Sequence, residues 1–266
     1  VEAAGVAGER TLRYIPARVQ DNPHLAPGYA LELAAKPPAL RDALLYGRWD
    51  AFEGQVFTEW RDDPAAYGTG RFTHVVAPFP IPESWRRFRS FDFGYSRPFS
   101  VGWWALDPHG TLVRYREWYG CTGVPNAGLR LTPTAIARGI AEAERAHERG
   151  LLVTGYADPS IWDGSRGESI ADQMQREGVY FLPAENARLA GLMQVHRRLE
   201  FDAEGRSGVQ VFSTCRDSIR TLPALSYDAQ RCEDVDTQGE DHIYDEWRYL
   251  FMAHPLPEAP KPAPRR

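Results

Sequence analysis

The spacing of apolar positions changes along this chain, and each change predicts an element. Residues 1–61 read as a helical appendage. Asp21-Asn22-Pro23 starts a helix carrying Tyr29, Leu31 and Leu33, Pro37-Pro38 breaks it, and a second helix through Leu40, Leu44 and Leu45 stops at Gly47. The aromatic stretch over 49–57 must pack on something, and 61–70 reads as polar loop. Pro78, Pro80 and Pro82 then mark a linker into Arg86-Arg87-Phe88-Arg89.

From there the period becomes that of strands. In Ser90-Phe91-Asp92-Phe93-Gly94 alternation places Phe91 and Phe93 on one face and Asp92 on the other. A second strand over 99–106, a hairpin turn at Asp107-Pro108-His109-Gly110 and a third strand over 112–118 follow. Thr132-Pro133 opens an amphipathic helix that Gly150 closes, and the apolar run 151–156 predicts a central strand buried on both faces. Beyond it the pattern predicts a helix near 170–177, a strand near 179–182, a helix over 187–199, a strand over 209–212 and a short helix around Ser218. The last helix runs from about Asp241 through Trp247, Tyr249 and Leu250. Residues 255–266 are Pro-rich and expected to be disordered. The expected division is 1–70, 71–254 and 255–266. A three-strand meander, a crossover helix and a further central strand match the ribonuclease-H-like core, an α/β fold with a mixed sheet flanked by helices. That is a likeness of topology, which many functions share.

Composition narrows the classes. With 266 residues, 43% of them hydrophobic, the chain can build a sizeable core. It holds no apolar run of membrane-spanning length and no basic-then-apolar leader. Its start at Val1 suggests a piece excised from a longer protein. A net charge of −5 means that any nucleic-acid contact must come from a local patch. Cys121, Cys215 and Cys232 have no C-x-x-C pairing, which favours free thiols in a reducing cytosol over a structural zinc site. No G-x-x-x-x-G-K-[ST] and no G-x-S-x-G occurs, so neither an ATPase nor a serine hydrolase is supported.

Asp92 ends the first strand of that core and Asp158 follows the fourth, in Ala157-Asp158-Pro159-Ser160. If those strands are neighbours, both carboxylates emerge at one edge of the sheet. Each also has an ordinary reading, since a strand-end aspartate caps turns and Asp-Pro begins them. Glu240-Asp241-His242-Ile243-Tyr244-Asp245 supplies the third element, with Asp241, His242 and Asp245 on one helix face. Asp241 is equally explained as a helix N-cap. Acids on separate elements suit hard cations, Mg²⁺ or Mn²⁺, and two such ions could drive phosphodiester hydrolysis. Asp92, Asp158, Asp245 and Asp241 are the candidate metal ligands, with His242 as a tuner, ligand or proton carrier. Glu117 ranks second, its ordinary role being a partner for Arg114 or Arg116. DNA contact would rest on Arg86, Arg87, Arg89, Arg188, Arg197 and Arg198, with His196 nearby, although basic side chains on a helix are commonly just solvated.

Taken together, these motifs resemble the large terminase subunit of tailed double-stranded DNA bacteriophages. The resemblance rests on Ser90-Phe91-Asp92-Phe93-Gly94 with Pro98, Asp107-Pro108-His109-Gly110, Glu117-Trp118-Tyr119 and Ala157-Asp158-Pro159-Ser160. It continues through Pro183-Ala184-Glu185-Asn186, Leu222-Pro223-Ala224-Leu225 and Glu240-Asp241-His242-Ile243-Tyr244-Asp245 with Arg248-Tyr249. Upstream, Leu44-Leu45-Tyr46-Gly47-Arg48-Trp49 and Gly54-Gln55-Val56-Phe57 resemble the segment joining that family's ATPase motor to its nuclease. The resemblance implies a metal-dependent endonuclease that cuts concatemeric double-stranded DNA with little sequence preference. Its acids would be Asp92, Asp158 and Asp245, with His242 matching members that place a histidine three residues before the last acid. The implied partners are the portal, the small terminase subunit and the ATPase domain, in the cytoplasm of an infected bacterium. Two other readings stay open: a docking module for portal or motor that cuts only in the assembled machine, and a Holliday-junction resolvase or transposase-like nuclease of the same fold.

Overall fold

The computed structural model describes residues 54–256 apart from 166, 229, 230 and 232. The two helices expected before Gly47, and the tail beyond 256, lie outside the described residues. The strands are β1 (Val75–Val76), β2 (Arg86–Asp92), β3 (Ser100–Leu106), β4 (Leu112–Tyr119), β5 (Val153–Ala157), β6 (Leu182–Pro183) and β7 (Val209–Phe212). The α-helices are α1 (Pro133–His147), α2 (Ile170–Arg176), α3 (Arg188–Leu199), α4 (Arg216–Thr221) and α5 (His242–Ala253). The strands form one mixed sheet in the order β1-β7-β4-β3-β2-β5-β6. β2, β3 and β4 are the antiparallel meander, and β5 returns through α1 to lie parallel beside β2. This is the ribonuclease-H-like arrangement.

Local chemistry accounts for the joints. Asp107 accepts hydrogen bonds from the backbone N–H groups of His109 and Thr111, both at 2.8 Å, and Gly110 supplies the positive φ of 88° that closes the β3–β4 turn. The Thr132 hydroxyl accepts from the Ala135 N–H, and Pro133 follows as the first helical residue. The strand expected at 179–182 shortens to Leu182–Pro183 at the sheet edge. The run 151–156 becomes Val153–Ala157, only partly covered because its outer neighbour is that short strand, and Leu152 is exposed.

β2 lies between two layers, and its alternation decides what each residue meets. Arg87 and Arg89 point to the α1 side, where they pair with Glu148 and Glu144. Ser90 and Asp92 point to the α5 side. There Trp247 and Phe251 pack against Trp104 of β3, with ring centroids 5.1 and 5.6 Å apart. A polar chain is buried in the same layer. The Trp104 indole donates to Ser90 Oγ at 2.7 Å, Ser90 donates to Glu246, and Glu246 is ion-paired with Arg114 of β4. The Gly102 backbone leaves room for the Arg114–Glu246 pair, which a Cβ there would strike. This pair fixes α5 on the sheet one residue after Asp245.

The aromatic stretch finds its partner here too. Phe57 is fully buried between α3 and α5, its ring 5.1 Å from His196 and 5.6 Å from Tyr244. The Val56 N–H donates to the Leu225 carbonyl at 2.9 Å, so residues 54–60 are part of the folded body.

Candidate active site

Parallel pairing of β2 with β5 sends both strands to the same sheet edge, with Phe91 opposite Ala157. Asp92 is the last residue of β2 and Asp158 directly follows β5. The first turn of α5 comes over this edge and brings His242 and Asp245. His242 Nδ1 lies 3.2 Å from Asp92 Oδ2, and the Tyr249 hydroxyl donates to Asp92 Oδ1 at 3.4 Å. Asp158 accepts from the Ser160 N–H at 2.7 Å and is held also by Tyr249 and Asn186. Asp245 pairs with Arg248 at 2.8 Å and has Arg188 at 3.8 Å.

The electrostatics are those of crowded acids. Burial pushes the Asp92 carboxyl up to about 6, and the charges of Asp245 and Asp158 add to this while His242 opposes it. Burial likewise raises Asp241 to about 7, with Asp245 next in importance. Burial disfavours the His242 cation, but its bond to Asp92 and the charges of Asp92, Asp241 and Asp245 outweigh this and raise it. Asp158 is lowered: burial works against the charge, and the hydrogen bonds from Ser160 overcome it. Asp241 does precede the helix, as a cap would, yet its side chain makes no capping hydrogen bond and is 4% exposed.

The donor set fits a hard divalent cation in its chemistry. It is made of carboxylate oxygens, and the burial and neighbouring acids that disfavour the Asp92 charge would be offset by a cation. Asp92, Asp158 and Asp245 are the side chains that would hold it, with Asp241 adjoining. Among the described residues no group of three or more acidic, histidine or cysteine side chains forms a ready-made metal cage. The acids instead rest on His242, Ser160 and Arg248.

The basic residues are distributed differently from the expected patch. Arg87 and Arg89 are buried on the α1 face, and Arg198 is buried with its guanidinium donating to the Gly208 and His254 carbonyls. These three are therefore structural. A strand arginine such as Arg87 or Arg89 looks solvated in sequence until a helix supplies acids above it, as α1 does. Arg86 is exposed over the Phe88 ring, at the opposite end of β2 from Asp92. Arg197 is half-buried on α3, and His196 pairs with Glu59 at 2.8 Å. Arg188 alone of this set stands beside the acids, held by Asp234 at 2.7 Å. Glu117 pairs with Arg114 at 3.4 Å, as its ordinary reading expects, and takes a second role as well. It accepts from the Asp217 and Ser218 N–H groups at 2.7 and 3.1 Å, capping α4 from β4.

Sequence reasoning on the site missed Tyr249 and Asn126. Tyr249 was findable, because it repeats the face of His242 and Asp245 at helical spacing. Asn126, whose Oδ1 lies 3.2 Å from His242 Nε2, carries no such signal.

A ribonuclease-H-like sheet with acids gathered at the ends of two adjacent parallel strands defines the class. Solved structures of phage large terminases share this fold. The large terminase of a thermophilic bacteriophage, in complex with ATP-gamma-S, matches with a TM-score of 0.58 at 18% identity over 88% of this chain and 54% of that one. A second structure of the same terminase, with ADP, gives 0.54 at 20% identity over 67% and 41%. The nuclease domain of the P22 large terminase gives 0.51 at 17% identity over 70% and 90%. This chain thus spans about half of the thermophilic phage's terminase, and most of the isolated P22 nuclease domain. No protein-family model and no curated protein sequence matches it.

Proposed function

We propose that this protein is the nuclease portion of a phage packaging terminase, a divalent-metal-dependent endonuclease cutting concatemeric double-stranded DNA with little sequence preference. The observation that carries the reading is the gathering of Asp92, Asp158 and Asp245 from β2, β5 and α5 at one sheet edge, with His242 on Asp92 at 3.2 Å. Mg²⁺ or Mn²⁺, two ions in the fullest form of the proposal, would supply Lewis-acid activation of water and stabilisation of the departing oxygen. The chain's own part is to hold three carboxylates from separate elements against their repulsion. Tyr249 ties Asp92 to α5, and the buried Arg114–Glu246 pair fixes that helix on the sheet. His242, on Asp92, is placed to hold or pass a proton. Arg188 offers a cation beside the acids for a DNA phosphate. The small terminase subunit, the portal and the ATPase domain are the proposed partners, in the cytoplasm of an infected bacterium.

The test is cleavage of supercoiled plasmid by the parent and by Asp92→Asn in Mn²⁺, Mg²⁺ or EDTA. Metal-dependent nicking and linearisation that vanish in the variant are expected. Metal-independent cutting, or full cutting by folded Asp92→Asn, would overturn the assignment.

A further inference from the structure

The imidazole of His242 is gripped at both nitrogens, and the grip at Nε2 comes from far away in sequence. Asn126 lies in the loop between β4 and α1. Its φ is 61°, in the left-handed region that asparagine tolerates better than most residues. The loop is fastened onto the segment following Asp92: the Gly128 N–H donates to the Ser96 carbonyl at 2.9 Å and the Arg130 N–H to the Tyr95 carbonyl at 3.1 Å. A Cβ at Gly128 would strike the Arg97 carbonyl, so the two segments are in close contact.

The amide of Asn126 has only one sensible orientation. Its Nδ2 donates to the Gln238 and Gly239 carbonyls, at 2.9 and 3.0 Å, and both are acceptors only. Oδ1 must then be the atom facing His242 Nε2 at 3.2 Å. An amide oxygen is likewise only an acceptor, so Nε2 must carry a hydrogen. Nδ1 is thereby directed at Asp92.

We infer that Asn126 is a positioning residue: it fixes the proton on Nε2 of His242 and turns Nδ1 toward Asp92, while tying the strand leading into α5 to the loop beyond β4. Its meaning for cutting rests on the nuclease reading above, but the hydrogen-bond assignment does not. A ring free to flip would present the wrong nitrogen to Asp92 for part of the time, which is the kind of loss that follows when an outer hydrogen-bond partner is removed.

The test uses ¹⁵N-labelled protein without metal and long-range ¹H–¹⁵N NMR of the His242 ring, in the parent, Asn126→Ala and Asn126→Asp. Both variants lose the donors to Gln238 and Gly239, but Asn126→Asp keeps an acceptor for Nε2. Where the ring is neutral, the inference expects a protonated Nε2 in the parent and in Asn126→Asp, and a mixture of tautomers in Asn126→Ala. In plasmid cleavage, Asn126→Ala should lose about 10- to 100-fold while Asn126→Asp stays much closer to the parent. A bare Nε2 in the parent would overturn the inference. So would identical ring spectra in the two variants, because Asn126 would then serve only to tie the backbone segments together. A parent that never cuts, yet shows the expected ring spectra, would count against cutting by the isolated chain and leave the positioning assignment standing.

Discussion

Replacing Asp92 by asparagine should make the metal-free protein more stable while ending its activity. Asp92 ionises at about 6 in the folded protein against an ordinary 3.8, because burial and the neighbouring acids outweigh the help of His242. At pH 8 the folded state must therefore hold a charge that the unfolded chain holds more comfortably. The gap of about 2 pKa units corresponds to about 3 kcal/mol, at roughly 1.4 kcal/mol per unit. Asparagine has the same shape, keeps an oxygen for the Tyr249 hydroxyl and carries no charge. Up to about 3 kcal/mol of stability is therefore recovered at pH 8, or roughly 6–12 °C in Tm for a domain of this size. At pH 4.5 most of the parent's folded molecules are already protonated, and the difference should shrink to about 1 kcal/mol. Urea unfolding in EDTA at the two pH values measures this. An Asp92→Asn protein no more stable than the parent at pH 8, with an unchanged m-value, would refute the argument that Asp92 is an electrostatically stressed acid.

The same physics sets the pH dependence of the parent. Asp92 and Asp241 are raised, to about 6 and about 7, so the folded state binds more protons than the unfolded one from about pH 4 to 7, and stability falls as pH rises. His242 is raised as well, so its contribution is present below its ordinary pKa and is lost as pH climbs through the higher one. Tm in EDTA should thus drop between pH 5 and pH 8, and Mn²⁺ should restore more at pH 8 than at pH 5; a flat or rising Tm in EDTA would contradict this. Arg114→Met should cost about 3–5 kcal/mol, because it strands the buried Glu246 carboxylate, and Arg114→Met with Glu246→Leu should regain much of that in urea unfolding. Phe57→Ala should cost about 3–5 kcal/mol in the same assay, since the ring is fully buried between α3 and α5; a loss under 1 kcal/mol would mean that residues 54–60 are not part of the cooperative unit.

The meander, the crossover and the acids at strand ends were legible because they depend on local rules. Alternation marks strands, Thr132-Pro133 marks a helix start, and Asp107-Pro108-His109-Gly110 marks a turn, each within a few residues of chain. Periodicity also placed His242 and Asp245 on one face of a helix, and the strand order then implied that Asp92 and Asp158 leave the sheet at one edge. Tertiary structure alone decided which charged groups are available there. Arg87 and Arg89 resembled a solvent-facing patch, and only the placement of α1 revealed that Glu144 and Glu148 cover them. Glu117 does pair with Arg114, but only the placement of α4 made it a helix cap as well. Asn126 meets His242 across 116 positions of chain, a distance over which no local pattern operates. Secondary structure follows from neighbours in sequence, whereas desolvation, ion pairing and hydrogen-bond partnership depend on what the fold brings near.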